Sequence, residues 1–372
     1  MRRVAVIMAG GSGERFWPAS RRARPKQLLR LTDPDRSMLE EAIDRIAPLI
    51  PRENVLIATS ALLAEPIRKA LPNLPPENVI GEPEKRNTAA CLALAAAHLE
   101  HRFGDPANVA MAVLTADHQI GEPDRFRATV AGALEFAFTK DALVTIGVRP
   151  TRAETGYGYV EVAEAIPGNE TRSDAVPSVR PVLHFREKPD RATAETYVAS
   201  GKHLWNSGMF FWKVSTFLDG LSKSMPDLRE ATRGMVRSLE DSKAPSIAEI
   251  FGPLADVSID YGLMERAPNV HVIPANFYWD DVGAWDALTR TRRKDAAGNV
   301  SGDEAVLIDA KDCIVYDEHD ASGGERAIAV IGLSDIIVAS TPDGILVCRK
   351  DRAQDVKLAV AELRRRGREH LT

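Results

Sequence analysis

The sequence predicts an α/β fold: a sheet flanked by helices, then a small β domain and a closing helix. Three observations carry this. Over roughly the first 150 residues, short apolar runs alternate with helical patterns, as βαβ units require. After about residue 292, short apolar pieces follow one another with turn residues between, as in a separate β domain. Residues 352–368 then read as one amphipathic helix. A chain of 372 residues has room for two or three cores.

In chain order, the strands of the first part are expected at residues 4–9, 55–59, 109–114 and 143–148. Each is a short apolar run bounded by polar or turn residues. Helices are expected between them at 37–48, 62–71, 87–102 and 124–138, with Asn87 as N-cap of the alanine-rich third. The next part is mixed. Strands are expected at 160–162, 182–188 and 270–274, a helix at 191–200, and several helices onward through Ala267. Residues 166–181, polar and containing Pro and Gly, read as a mobile loop. The tail strands are expected at 305–308, 314–316, 327–330, 336–339 and 345–347. The domain boundary is expected between residues 292 and 293, with two halves, 1–150 and 151–292, before it.

Composition excludes several classes of function. Hydrophobic content of 44% and charged content of 27% are ordinary for a globular protein. A net charge of −5 gives no general pull toward nucleic acid or an anionic membrane, so neither is expected as a partner. The basic end at Arg364, Arg365, Arg366 and Arg368 reads as a solvated helix terminus favoured by the helix dipole. The three cysteines are too few and scattered for a disulfide framework or a zinc site. No signal segment and no membrane-spanning apolar run is found, and a cytoplasmic protein is expected.

The first strand breaks into Gly10, Gly11, Ser12 and Gly13. Glycines allow unusual backbone conformations and close approach of amides to a ligand. Such a loop suits phosphate oxygens. Arg15 and Lys26 follow as cations that suit a polyphosphate during phosphoryl or nucleotidyl transfer. The dinucleotide fingerprint fails, because its third glycine position is Phe16, and no Walker A string exists. The whole string, with Trp17-Pro18 and Pro25-Lys26-Gln27, resembles the N-terminal signature of the sugar-1-phosphate nucleotidylyltransferases. Within that family it is most similar to the mannose-1-phosphate guanylyltransferases. The resemblance implies a Rossmann-like, GT-A-like mixed sheet and a tail forming a short left-handed β-helix.

Asp117 lies just past an apolar run, where a carboxylate can hold Mg²⁺ together with substrate phosphates. A second carboxylate site is Trp279-Asp280-Asp281-Val282-Gly283. The resemblance places the metal on Asp117 and Asp281, with Asp280 the near competitor; Mn²⁺ or another divalent ion would suit the same donors. His118 matches the family's Asp-His pair. The segment Glu82-Pro83-Glu84-Lys85-Arg86-Asn87-Thr88 resembles the family's base-binding segment. An acceptor-only carboxylate at Glu82 suits the adjacent N1–H and N2–H donors of guanine. Arg86 would position phosphate or order the loop. Asn87 and Thr88 would contact base or backbone.

Four further strings are similar to the family's sugar-binding half. Tyr157 and Gly158 lie in a segment with little side-chain cover, open to a hydroxylated ring. Glu187 can accept from sugar hydroxyls, and Lys188 can hold the sugar phosphate. Asn206, Ser207 and Gly208 add an amide, a hydroxyl and a close approach; Trp279 can pack on the sugar face. Asp260 would contact the sugar or cap a helix start. The expected partners are GTP, mannose 1-phosphate, GDP-mannose and diphosphate. For the tail two roles stay open, a homodimer interface or a cover on the catalytic domain. No isomerase-type domain follows in the sequence, and one activity is expected. Glu14, where many relatives have Thr, is among the departures from the family pattern.

Overall fold

The computed structural model describes residues 1–11, 13–162, 177–302, 305–318 and 327–372. The chain packs as two compact units. One comprises Met1–Ala9, Ile43–Thr115 and Ile120–Trp279; the other comprises Gly10–Ala42, Ala116–Gln119 and Asp280–Thr372. Among the described residues no helix is long and apolar enough to cross a membrane. Ser12 and most of the expected 166–181 loop lie outside the described residues.

In chain order the strands up to Asp280 are β1 (Arg2–Met8), β2 (Val55–Ser60), β3 (Val79–Glu82), β4 (Val109–Thr115), β5 (Gln119–Ile120), β6 (Leu143–Val148), β7 (Tyr159–Val162), β8 (Arg180–Arg186), β9 (His203–Lys213), β10 (Val270–Pro274) and β11 (Trp279–Asp280). Nine of them form one sheet in the first unit, in the order β3-β2-β1-β4-β9-β6-β10-β8-β7. β1 runs parallel to β2 and β4, with Ile7 opposite Ile57 and Leu114. Val4–Ile7 are wholly buried, which explains an unbroken apolar run in place of an alternating one. β9 runs antiparallel to both β4 and β6, so the sheet is mixed.

Two strands of this sheet are missing from the sequence reading. β3 is only four residues long, with a glycine inside it. β9 stands where helices were expected to begin. Its Trp, Phe and Met content fits a strand covered on both faces, and periodicity cannot separate such a run from a buried helix.

The helices of this unit cover the sheet: α2 (Ala61–Ala70) and α3 (Asn87–Phe103), then α4 (Pro123–Lys140), α5 (Arg191–Ser200), α6 (Val214–Ser224), α7 (Pro226–Glu240) and α8 (Ile247–Phe251), with α1 (Met38–Ile46) before them in the chain. Ala89, Ala90, Ala93 and Ala95–Ala97 of α3 are buried, and their small side chains let the helix lie close to its neighbours. Asn87 is the first residue of α3 rather than its N-cap. Its φ is +62°, and its Oδ1 accepts from the Thr88 amide at 2.9 Å. Trp212 stacks on Phe217 at 4.8 Å and on Phe210 at 5.8 Å at the base of this core.

The second unit carries β12 (Ala305–Ile308), β13 (Ile314–Asp317), β14 (Ile328–Ile331), β15 (Ile336–Thr341) and β16 (Gly344–Arg349), with the one-turn α9 (Leu288–Thr291) and the closing α10 (Val356–Arg365). β12 pairs with β14 and β13 with β15, both in parallel, as stacked coils of a β-helix do. β16 departs from that pattern by pairing antiparallel with β15. The expected helix over 352–368 is a 3₁₀ turn at Lys350–Asp355 followed by α10.

The core of this unit joins Phe16, Leu29 and Leu31 to Trp285, Ile314, Ile337, Leu346 and Val356. Phe16 meets Trp285 edge-on at 5.1 Å, and Tyr316 lies 4.9 Å from Trp285 on another side. Trp285 is fully buried, and its Nε1 donates to the Trp17 carbonyl at 3.0 Å. Trp285→Ala should therefore cost about 3–5 kcal/mol, from lost contacts and the cavity left behind. Denaturant unfolding of the variant checks this; a midpoint equal to wild type would contradict the packing described.

Candidate functional site

Each unit carries its own set of functional side chains. In the second unit the chain leaves β1 and turns through Gly10, Gly11 and Gly13. Gly13 has φ +64°, and a Cβ there would lie 2.5 Å from Cβ of Lys26, so the loop backbone rests directly on Lys26. Lys26 is only 5% exposed. A buried ammonium needs partners. Its Nζ donates to Asp117 Oδ2 at 3.0 Å and to the Asp281 carbonyl at 2.7 Å. The two aspartates, far apart in sequence, thus meet at one ammonium. Burial works to raise the Asp117 pKa, but the Lys26 charge, with that of His118, outweighs it and holds the carboxyl below its usual value. His118 Nε2 lies 3.9 Å from Asp117 Oδ1.

Asp280 and Asp281 are told apart by their neighbours. Asp280 is buried and held by Arg290, whose Nε lies 2.6 Å from its Oδ2 and whose second nitrogen lies 3.2 Å from its Oδ1. It also accepts from the Val282 amide at 2.8 Å. Both oxygens of Asp280 are therefore engaged within the protein. The Asp281 carboxylate receives no such bond among the described residues. Asp117 and Asp281 are hard oxygen donors that suit Mg²⁺, which takes one or two carboxylates and keeps positions for phosphate oxygens and water. Arg15 is exposed one turn beyond the glycines, with no ion pair among the described residues. The segment that bears it is tied down beside it. Glu14 pairs with Arg364 at 2.8 Å, and Trp17 Nε1 donates to the Leu371 carbonyl at 2.8 Å. The basic tail end noted in the sequence thus has a packing role through Arg364.

In the first unit, Glu82 ends β3 over α3. Burial pushes its carboxyl up to about 7, against the opposing pull of a hydrogen bond with Cys91. Cys91, buried on α3, is a partner that sequence spacing gave no sign of. Arg86 Nε donates to the Gly252 carbonyl at 2.9 Å, and its NH2 lies 2.6 Å from Glu84 Oε2. The guanidinium thus joins Glu84 of its own loop to the Gly252 carbonyl. Thr88 Oγ1 accepts from the Ile259 amide at 2.8 Å.

The residues expected on the sugar side do gather. Asn206 Nδ2 donates to Asp260 Oδ1 at 2.9 Å, while Asn206 Oδ1 accepts from Thr145 Oγ1 at 2.9 Å and from the Gly208 amide at 3.2 Å. Gly208 has φ +71°. Ser207 is buried, and its Oγ accepts from the Met209 amide at 3.3 Å. Lys188 Nζ lies 3.0 Å from Glu187 Oε1. Burial disfavours the Lys188 charge, but Glu187 and then Asp260 outweigh it and raise the pKa. Asp260 is driven up to about 7, first by burial and then by Glu187, against Lys188 and Asn206. A Cβ at Gly158 would lie 2.4 Å from Glu187 Oε2, so a larger residue there would require that carboxylate to move. Tyr157 meets Trp205 at 5.1 Å and Trp279 at 5.6 Å, both edge-on, and the Arg152 guanidinium lies 5.2 Å from the Trp205 ring. Trp205 and Arg152 were not singled out as site residues; an aromatic beside Asn206 was the one available sign.

Residues 4–298 match the nucleotidyl transferase family. The chain belongs to that family. Residues 303–363 match the mannose-phosphate isomerase/GMP-like β-helix domain. The chain is 38% identical over 370 residues to mannose-1-phosphate guanylyltransferase of Klebsiella pneumoniae, covering 98% of this chain and 74% of that protein. It is 35% identical over 375 residues to the alginate biosynthesis protein AlgA of Pseudomonas aeruginosa, covering 98% and 73%. Its fold is similar to that of a Thermus thermophilus protein described as a mannose-1-phosphate geranyltransferase. The TM-score is 0.83 at 33% identity, covering 98% of this chain and all of that one. As a nucleotidyl transferase, the chain has nucleotide and sugar phosphate as substrates and a nucleotide sugar as product.

Two pH effects follow. The raised carboxyls of Glu82 and Asp260 are neutral in the folded protein near pH 5 and ionised when unfolded. Their contribution to stability is full below the unfolded values near 4 and is lost as pH rises through about 7. Asp260→Asn should flatten the fall in melting temperature between pH 4 and 7. If Glu82 binds the base as a carboxylate, KM for GTP should fall as pH rises through about 7. Glu82→Gln, measured over the same range, should lack that component.

Proposed function

We infer that this chain transfers a guanylyl group from GTP to mannose 1-phosphate, giving GDP-mannose and diphosphate. One observation carries the phosphate chemistry: the Lys26 ammonium held between the Asp117 carboxylate and the Asp281 carbonyl, against the glycine loop. Guanine and mannose are read from Glu82 and from the names of the full-length relatives.

The attacking oxygen belongs to the sugar phosphate, already an anion at neutral pH, so no general base is required. Catalysis is then positioning plus neutralisation of charge. Attack on the α-phosphorus forms one P–O bond as the bond to the departing diphosphate breaks in line. Lys26, Arg15 and the amides of Gly10, Gly11 and Gly13 hold the triphosphate and stabilise the leaving diphosphate. Lys188 holds the attacking phosphate. Glu187, Asn206 and Asp260 accept from or orient the hexose, with Tyr157, Gly158 and Trp279 beside it. Glu82 accepts from the two adjacent guanine donors. Asp117 and Asp281 would hold Mg²⁺, which when bound neutralises and aligns phosphate oxygens.

The test is diphosphate release from GTP, ATP, UTP, CTP and dTTP against mannose, glucose and N-acetylglucosamine 1-phosphates, with and without Mg²⁺. Activity confined to GTP with mannose 1-phosphate and lost on chelation is expected. Turnover of a different pair would overturn the base or sugar assignment. Lys26→Ala should lower kcat by about 10²–10³-fold, the scale for losing one preorganised charge at a reacting phosphate. Near-normal turnover in a folded variant would remove Lys26 from the mechanism. Asp281→Asn should abolish the Mg²⁺ response, whereas Asp280→Asn should chiefly lower the melting temperature by removing the buried charge that pairs with Arg290.

A further inference from the structure

Thr88 stands in the segment expected to contact the nucleotide, yet its hydroxyl is bonded elsewhere. Its Oγ1 accepts from the amide of Ile259, a fully buried residue whose N–H has no access to water. The next amide of α3, that of Ala89, donates to the Val257 carbonyl at 3.2 Å. The start of α3 is thus bonded to the strip of chain that leads into the helical turn Asp260–Met264. Early amides of a helical turn have no partner within the turn and need one from outside. Ser258 Oγ meets the Tyr261 amide at 3.3 Å, and Thr88 meets that of Ile259.

That turn organises the sugar-side residues at both its ends. Asp260, directly after Ile259, takes the Asn206 amide and feels the charges of Glu187 and Lys188. Glu265, just past the turn, accepts from the Glu187 backbone amide at 3.1 Å. A shift of the turn would therefore move Asp260 and the Glu187–Lys188 pair together.

We propose that Thr88 is a positioning residue for the sugar-phosphate subsite: through the Ile259 amide it sets where Asp260, Glu187 and Lys188 stand, and it does not contact the nucleotide. The proposal rests on the functional reading above for the identity of that subsite. Thr88→Val keeps the shape and removes the acceptor, leaving a buried amide without a partner. Small displacements of groups that orient a substrate are costly to its binding and reaction.

The experiment is steady-state kinetics of Thr88→Val and Thr88→Ser, varying each substrate in turn. Thr88→Val should raise KM for mannose 1-phosphate about tenfold with KM for GTP within twofold of wild type. Thr88→Ser, which keeps the acceptor, should return both to within about twofold. A rise in KM for GTP instead would make Thr88 a nucleotide contact and overturn the proposal, as would unchanged constants in a folded variant. Circular dichroism monitors folding, and Thr88→Ala serves as the second acceptor-free variant should valine not fold. If the wild type turns over a different nucleotide and sugar phosphate, the substrate reading fails. The same split, read with that pair, still decides the role of Thr88.

Discussion

A buried ammonium is the constraint around which the second unit is built. Lys26 has almost no contact with solvent, so its charge must be met by the protein. One carboxylate and one carbonyl meet it, and each brings a distant stretch of chain to the same point. The glycine loop can lie against the lysine because Gly13 has no side chain. A cation held this way is fixed in advance, and such preorganisation is what charge stabilisation in the proposed transfer requires.

The same unit shows why the tail strands belong with the loop. Phe16, Leu29 and Leu31 share one core with Ile314, Ile337 and Leu346. Trp285 sits at its centre, bonded to the loop backbone and packed between Phe16 and Tyr316. The loop that carries Arg15 and Lys26 is therefore supported by residues nearly three hundred positions later in the chain. Glu14, a departure from the family pattern, is accommodated by its pairing with Arg364.

In the other unit the acids are the expensive groups. Glu82 and Asp260 are buried enough to be driven toward neutrality, and each has a specific neighbour: Cys91 for one, Asn206 with Lys188 for the other. Keeping such carboxyls costs stability near neutral pH, a cost that fits groups retained for binding donors. Asn206 joins three of the groups there, Asp260, Thr145 and the Gly208 amide. Its amide fixes the acid and the tight turn at Gly208 at once.

The sequence by itself determined the α/β class, the strands β1, β2 and β4, the tail strands and most of the polar residues that cluster within each unit. These follow from local demands: apolar periodicity, glycines where the backbone must come close, and charges next to them. It could not determine the antiparallel insertion of β9, because a run buried on both faces has no alternation to read. Nor could it separate Asp280 from Asp281, since Arg290, ten positions on, occupies one and leaves the other. Whether Thr88 faces a ligand or an amide of the same chain was likewise open until Ile259 was placed beside it. Each of these was decided by tertiary structure for one reason: a polar side chain takes its role from the partner that folding brings to it, and that partner is remote in sequence.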